Sequence, residues 1–296
     1  MLTTTGTTFF KQIRKIKDDK FSIDKIEQYC LILSVGSRDL QVCIIDTKNN
    51  RTLLLEDYII DATENAEEKV TLLQSLFDHH HLLMVGFWKE VILSFKTDKF
   101  TLVPLPYFSK ENARTLLKMN CSVDDNDSVG YYKVNSNDAV NIFTYDKAIL
   151  QWFRSIYINS KIKVTHQSGM LVNSVLQNTP LASEVKVSVF IDRFYLHAAV
   201  SQNDHLLLFN SFKITKFEEY IKYINLVLHE FKLSKTNSSI KVWGFINKNS
   251  AHFNSLKNHI PAIKPGNRTT LLNFGYKFDE VPEHQYFDVF GNYFNL

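Results

Sequence analysis

Cysteine is scarce in this chain: only Cys30, Cys43 and Cys121 occur in 296 residues, an odd and widely spaced set. That excludes a disulfide framework and points to a reducing compartment, the cytoplasm. Cys30 and Cys43 lie in apolar runs and read as small buried hydrophobes. Nine glycines and six prolines are few, which excludes a low-complexity or linker-rich chain. No uninterrupted apolar stretch approaches the ~18 residues of a membrane helix. The opening MLTTTGTTFFKQIRKIK lacks the apolar centre of a signal peptide. An excess of one charge is missing too. The formal net charge is +3, and Lys11–Lys20 alone carries five basic and two acidic residues, so the remainder is balanced. No broad basic face for nucleic acid is implied.

What is present is apolar and aromatic. Hydrophobic residues make up 45% of the chain, with 23 Phe and 13 Tyr, enough to fill one large domain or two ordinary ones. The pattern also repeats. Leu31–Ile60 (LILSVGSRDLQVCIIDTKNNRTLLLEDYII) has an apolar run, a break, a second apolar run, a polar turn and a third. Val187–Ile214 (VSVFIDRFYLHAAVSQNDHLLLFNSFKI) has the same order. Each block reads as three strands, about Tyr29–Val35, Leu40–Asp46 and Thr52–Ile60 in the first, with Lys48-Asn49-Asn50 as a hairpin turn.

Apolar spacing predicts helices over Ala66–His79, Lys110–Met119 (capped by Ser109), Lys147–Tyr157, Ser168–Gln177, Lys216–Phe231 and about Ala251–Ile260. Strands are expected at Glu90–Phe95, Phe100–Pro104, Gly130–Val134, Ala139–Thr144, Lys161–His166 and Ile240–Phe245. Both halves therefore run βββ, helix, strand, helix. The fold class is α/β, a duplicated ribonuclease-H-like (βββαβαβα) arrangement with mixed sheets, the layout of actin-like ATPases. The expected division is a peripheral arm over 1–20, a first domain over 21–181 with a small subdomain inserted at about 82–128, and a second domain over 182–296. Phe9–Phe21 sets Phe9, Phe10, Ile13 and Ile16 apart from Lys11, Arg14, Lys15 and Lys17. That spacing allows an interfacial helix, but Asp18-Asp19 interrupt it, and a helix packed on its own domain or a disordered arm is the preferred reading.

Three segments carry a family resemblance: KTDKFTLVPLPYFS (Lys96–Ser109), NIFTYDKAILQWF (Asn141–Phe153) and EHQYFDVF (Glu283–Phe290). Together they resemble a Bacteroidetes family of unknown function in the actin-like ATPase superfamily. The type IV pilus assembly and cell-division ATPases are its distant relatives. The resemblance spans about 20–296 and its motifs are structural in character.

In active members of that superfamily an Asp-x-Gly-Ser/Thr hairpin loop from the first half and an Asp-x-Gly loop from the second enclose ATP and magnesium. Glycine lets backbone N–H groups close on phosphate, and aspartate holds hydrated magnesium. Here the first loop reads Ser34-Val35-Gly36-Ser37-Arg38, with serine in the aspartate position. The second reads Asp192-Arg193-Phe194, with phenylalanine in the glycine position. Where relatives often carry Gly-Gly near adenine, this chain has Gly244-Phe245. A residual pocket would use Gly36, Ser37, Arg38, Asp192, Arg193 and Gly244, with ATP and magnesium as its cofactors. The reading preferred is a degenerate site with no cofactor and no catalytic residues, in a binding or scaffold module. An active ATPase with an altered magnesium site is one alternative. An assembly component of a cytoplasmic or membrane-peripheral complex is another. A protein partner is expected, a homodimer is allowed, and nucleic acid is not expected.

The remaining constellations are weaker. His79-His80-His81 reads as a polar helix end rather than a metal site. His284 and Asp288 read as part of a docked tail. No Gly-x-Ser-x-Gly elbow or Walker sequence is present.

Overall fold

The computed structural model describes residues 10–125, 127–134, 138–177, 184–203 and 205–294. Its first half contains β1 (Phe10–Lys17), β2 (Tyr29–Val35), β3 (Asp39–Asp46), β4 (Arg51–Ile60), α1 (Ala66–Asp78) and β5 (Glu90–Phe95). β6 (Phe100–Pro104), α2 (Ala113–Lys118), β7 (Ser128–Val134), β8 (Ala139–Tyr145), α3 (Lys147–Ile156), β9 (Lys161–His166) and α4 (Gln167–Gln177) follow. The second half contains β10 (Lys186–Ile191), β11 (Tyr195–Gln202), β12 (His205–Lys213), α5 (Phe217–Glu230) and β13 (Ser239–Gly244). It ends with α6 (Ala251–His259), β14 (Ile263–Pro265) and α7 (Phe287–Gly291). The repeated block recurs as β2-β3-β4 followed by α1 in the first half and β10-β11-β12 followed by α5 in the second.

The repeat is visible in the sheets. One has the order β1-β4-β3-β2-β5-β9 and the other β12-β11-β10-β13-β14. In each, an antiparallel hairpin meander is joined to two parallel strands on the far side of its first strand. β1 is the one strand of these two sheets that the repeat does not explain.

The chain divides into two units: residues through Tyr132 with Asn141–Gln167 and Leu271–Phe278, and Lys133–Val140 with Ser168–Thr270 and Asp279 onward. In the first, Leu31, Leu33, Leu40, Val42 and Ile44 pack with Leu73, Leu76 and Phe77 of α1 and Leu150 and Phe153 of α3. Their spacing follows from chemistry: alternate strand residues share a face, and helix residues three or four apart share a stripe. Both helices begin at side-chain caps. Asn65 accepts from Glu68 N–H, and Asp146 accepts from Ala148 and Ile149 N–H. In the second unit, Val187, Val189, Ile191 and Val242 pack with Val227 and Leu228 of α5 and Phe253 and Leu256 of α6. Among the described residues no helix is long and apolar enough to cross a membrane.

Three local expectations are corrected. Residues 10–17, read as a loose arm or helix, form edge strand β1, antiparallel to β4. A bulge between Gln12 and Arg14 shifts the register, so Phe10 pairs with Ile60 and Ile16 with Leu55. The bulge breaks the two-residue alternation and leaves the three-residue apolar spacing that imitates a helix. Second, the insertion does not span 82–128. β5 lies in the main sheet beside β2, and the separate three-stranded sheet, order β6-β8-β7, continues through Tyr145. Third, α2 starts at Ala113, because the Asn112 side chain accepts from Ser109 N–H and holds 109–112 as a turn.

Leu271–Phe278 belongs to the first unit. Thr52 N–H donates to the Asn273 carbonyl at 2.9 Å, and Asn273 N–H donates to the Asn50 carbonyl at 2.7 Å. Asp18, buried and gripped by Arg51 through Nε (3.2 Å) and Nη2 (2.9 Å), lies against Gly275. A Cβ on Gly275 would stand 1.7 Å from Asp18 Oδ2. Because Arg51 fixes that carboxylate, it cannot swing aside. Gly275→Ala is therefore expected to lower unfolding free energy by about 2 kcal/mol, measured by urea denaturation.

Candidate functional site

The first turn, Gly36-Ser37-Arg38, joins β2 to β3 and is closed on itself. Gly36 N–H donates to the Asp39 carbonyl at 3.0 Å, and Ile60 N–H donates to the Arg38 carbonyl at 3.0 Å. Gly36 is required because Asp39 packs against it: a Cβ there would meet Asp39 Oδ1 at 1.9 Å. The Asp39 carboxylate is paired with Lys96 Nζ at 2.8 Å, both side chains only 5% exposed. From α1, Lys69 Nζ donates to the Ser37 carbonyl at 2.7 Å. Burial pushes the Lys69 amine down to about 8, against the opposing pull of Asp39. Ser37 and Arg38 are exposed, and Ser34 is buried in β2.

The second turn, Asp192-Arg193-Phe194, joins β10 to β11. Asp192 is buried, its Oδ1 accepts from Arg193 N–H at 2.7 Å, and its N–H donates to the Tyr195 carbonyl at 2.9 Å. The Arg193 guanidinium lies 4.1 Å from the Phe245 ring centroid, a cation–π contact. Gly244 ends β13 with φ +98°, and a Cβ there would meet the Ile191 carbonyl oxygen at 2.0 Å. Its N–H donates to the His284 carbonyl, and Phe245 N–H donates to the Ile191 carbonyl, each at 2.7 Å. Gly244 thus serves the close approach of two backbones.

Ile191, Arg193, Tyr220, Phe245 and His252 line a crevice of about 470 Å³ past the carboxyl ends of β10 and β13. That is where open α/β sheets hold ligands. Helix N-termini at such a place offer backbone N–H groups to anions. At each, a side chain of the protein accepts backbone N–H groups around the first turn. Glu219 Oε2 accepts from Thr215 N–H (2.7 Å) and Lys216 N–H (3.1 Å) at the start of α5, and those bonds hold its carboxyl below the usual range. Ser250 Oγ accepts from Phe253 N–H at the start of α6. Burial, then the charge of Asp192, pushes Tyr220 up to about 12, so the crevice wall is neutral there at pH 7.

Within their units, then, Gly36, Ser37 and Arg38 share one turn, while Asp192 and Arg193 share another, with Gly244 beside its first strand. At the first turn the residues present do not fit a magnesium nucleotide. Ser34 brings no charge for the metal, Asp39 is committed to Lys96, and the Gly36 N–H is already used. Reasoning from sequence missed Asp39, Lys69, Lys96 and Glu219. Asp39 and Lys96 stand 57 residues apart, and no local pattern joins them. Glu219, three residues after Lys216, carries a legible helix-start signal. Of the histidines, His80 Nε2 lies 2.6 Å from buried Glu56, and the His284 ring contacts the Ile246 carbonyl.

The sheet orders and the two turns define the class: a protein with an actin-like ATPase fold. A solved structure from Bacteroides thetaiotaomicron VPI-5482, described as a protein with actin-like ATPase fold and unknown function, is similar over 83% of this chain and 93% of its own, with TM-score 0.73 and 22% identity. The structure described as the PilM-PilN type IV pilus biogenesis complex matches 90% of this chain and 97% of its own, with TM-score 0.60 and 13% identity. No curated protein matches the sequence. A family model described as "Protein of unknown function (DUF3822)" matches residues 18–263, and the chain belongs to that family.

Two predictions follow from the first turn. Removing one partner of the Asp39–Lys96 pair, as in Lys96→Met, is expected to cost about 3–5 kcal/mol of stability by stranding a buried charge. Asp39→Asn with Lys96→Met together is expected to cost less than the sum, as a double-mutant denaturation cycle would report. For Lys69, the folded amine titrates near 8 and the unfolded one near ~10.4. Between those values the unfolded chain holds the extra proton, so this group adds stability as pH rises from 8 to 10. The difference in urea midpoint between wild type and Lys69→Met should shift in favour of wild type over that range.

Proposed function

We propose that this protein is a non-catalytic binding or scaffold module that works in the cytoplasm by holding a protein partner. One observation carries the reading: the Asp39 carboxylate, fixed by Lys96, packs against Gly36 on the turn where a phosphate loop would receive its anion. With Lys96 held by that carboxylate and the Gly36 N–H bonded to the Asp39 carbonyl, neither is offered to a phosphate, and removing Asp39 would break a buried ion pair. A protein partner is favoured by likeness to the chain in the PilM-PilN complex, whose description names two proteins assembled together. Assembly as a homodimer is compatible with this role, and nucleic acid has no place in it.

A second reading has its own support. The crevice beside Arg193, with Asp192 retained on its turn, leaves room for a nucleotide bound without the usual magnesium chemistry. Calorimetry with ATP and magnesium on wild type and Asp192→Ala separates the two. The scaffold reading expects no saturable heat from either protein. Micromolar binding by wild type that disappears in Asp192→Ala would overturn the scaffold reading in favour of nucleotide binding.

A further inference from the structure

β4 and β12 are counterparts in the repeat, and their registers match in detail. Each carries a bulge near its start. Leu53 is skipped where Ile44 pairs with Leu54 and Ile45 with Thr52, and Leu207 where Val200 pairs with Leu208 and Ser201 with Leu206. Their outer edges differ. β1 covers β4 from Phe10 opposite Ile60 to Lys17 opposite Leu54, and Thr52 beyond it bonds Asn273. No strand among the described residues pairs with the outer edge of β12, the end strand of its sheet. Leu53 is accordingly buried, while Leu207 is 46% exposed.

Leu207 has one companion. Among the described residues of the second unit, the two most exposed large apolar side chains are Leu207 and Leu226, the latter 53% exposed. Leu226 lies three residues on from Tyr223, on the same side of α5. The Tyr223 ring stacks on Phe212 of β12 with centroids 4.4 Å apart, so Leu226 also stands toward the β12 edge. β12 has little to keep another strand away: it contains no proline, and its one lysine, Lys213, is its last residue. The bulge is no bar, since β4 has the same one and is paired. Ile214 N–H donates to the Phe194 carbonyl, so by alternation Phe209, Ser211 and Lys213 turn their backbone groups outward. Ser211 N–H meets the Asn210 side chain at 2.8 Å.

The chemistry of the edge selects its occupant. β1 is a basic strand anchored on acids, with Lys15 Nζ 2.9 Å from Glu56. By register Asn210 stands in β12 where Glu56 stands in β4, so a basic strand has no such anchor there. A second β12 is a better match. Antiparallel pairing of two copies about Asn210 sets Leu208 opposite Phe212, Phe209 opposite Ser211 and Leu207 opposite Lys213. Apolar side chains then meet on the α5 face, the lysine stem covers Leu207, and no like charges face each other.

We propose that two copies of this chain pair edge to edge through β12, antiparallel about Asn210, joining their five-stranded sheets across a two-fold axis. Each copy gives the same patch, as a closed two-fold contact requires. Leu207 and the Leu226 side of α5 lie along the seam, and Ser211 N–H passes from Asn210 to the partner strand. The proposal does not depend on the scaffold reading.

Analytical ultracentrifugation of the full chain over a range of concentrations tests it. The variants are Asn210→Asp and Asn210→Lys, with Asn254→Asp and Asn254→Lys on α6 as controls. Asn210 is exposed, so its replacement should leave the melting profile intact. Wild type and both controls are expected to form a concentration-dependent dimer. Each Asn210 variant sets like charges opposite each other at the axis, so each alone should dimerise about fivefold more weakly. An equal mixture of the two should recover the dimer as a mixed pair. Wild type that stays monomeric at every concentration would overturn the proposal and leave the edge to a segment of a different protein. A dimer unchanged in both Asn210 variants, weakened equally in the Asn254 controls, or not recovered on mixing would overturn it as well.

Discussion

Each sheet is built around one strand, β2 or β10, that bonds an antiparallel neighbour on one side and a parallel one on the other. That double pairing is the constraint on which the rest depends. It sends the hairpin turn after the central strand to the end where the parallel strands finish. Crossover helices that follow such strands begin near the same end. A ligand crevice is therefore a product of topology in this fold, and it persists whether or not the chemistry does. The second unit illustrates this: its crevice lies past Ile191 and Gly244, although phenylalanine stands where the phosphate-loop glycine is expected.

What fills the polar requirements at these ends decides the function. An anion site needs backbone N–H groups and positive charge left to a ligand. In this protein several of these groups are taken up within the chain, by the Asp39 carbonyl at Gly36, by Glu219 just before α5 and by Ser250 at α6. Lys96 is matched by Asp39 and Lys69 by the Ser37 carbonyl.

Much of the architecture was legible in the sequence because strand and helix periods survive in it. The three-strand blocks, the Asn50 turn (φ +45°) and the long helices all follow from local pattern. What escaped was nonlocal or irregular. The bulge in β1 disguised a strand as a helix, and the Asn112 turn shortened α2. The insertion was misplaced because nothing in EVILSF tells a main-sheet strand from one in a separate sheet. Departures at Ser34 and Phe194 were readable, since they are single positions in a short loop. Asp39 with Lys96 was not, because an ion pair closed over a strand crossover leaves no spacing rule behind.

The central claim is that the first turn is closed from within. A crystal structure grown in saturating ATP and magnesium tests it most directly. The account predicts the Asp39–Lys96 pair intact, with Gly36 N–H still on the Asp39 carbonyl and no nucleotide at the turn. Density for a triphosphate at Gly36, with Lys96 turned from Asp39 toward it, would contradict it.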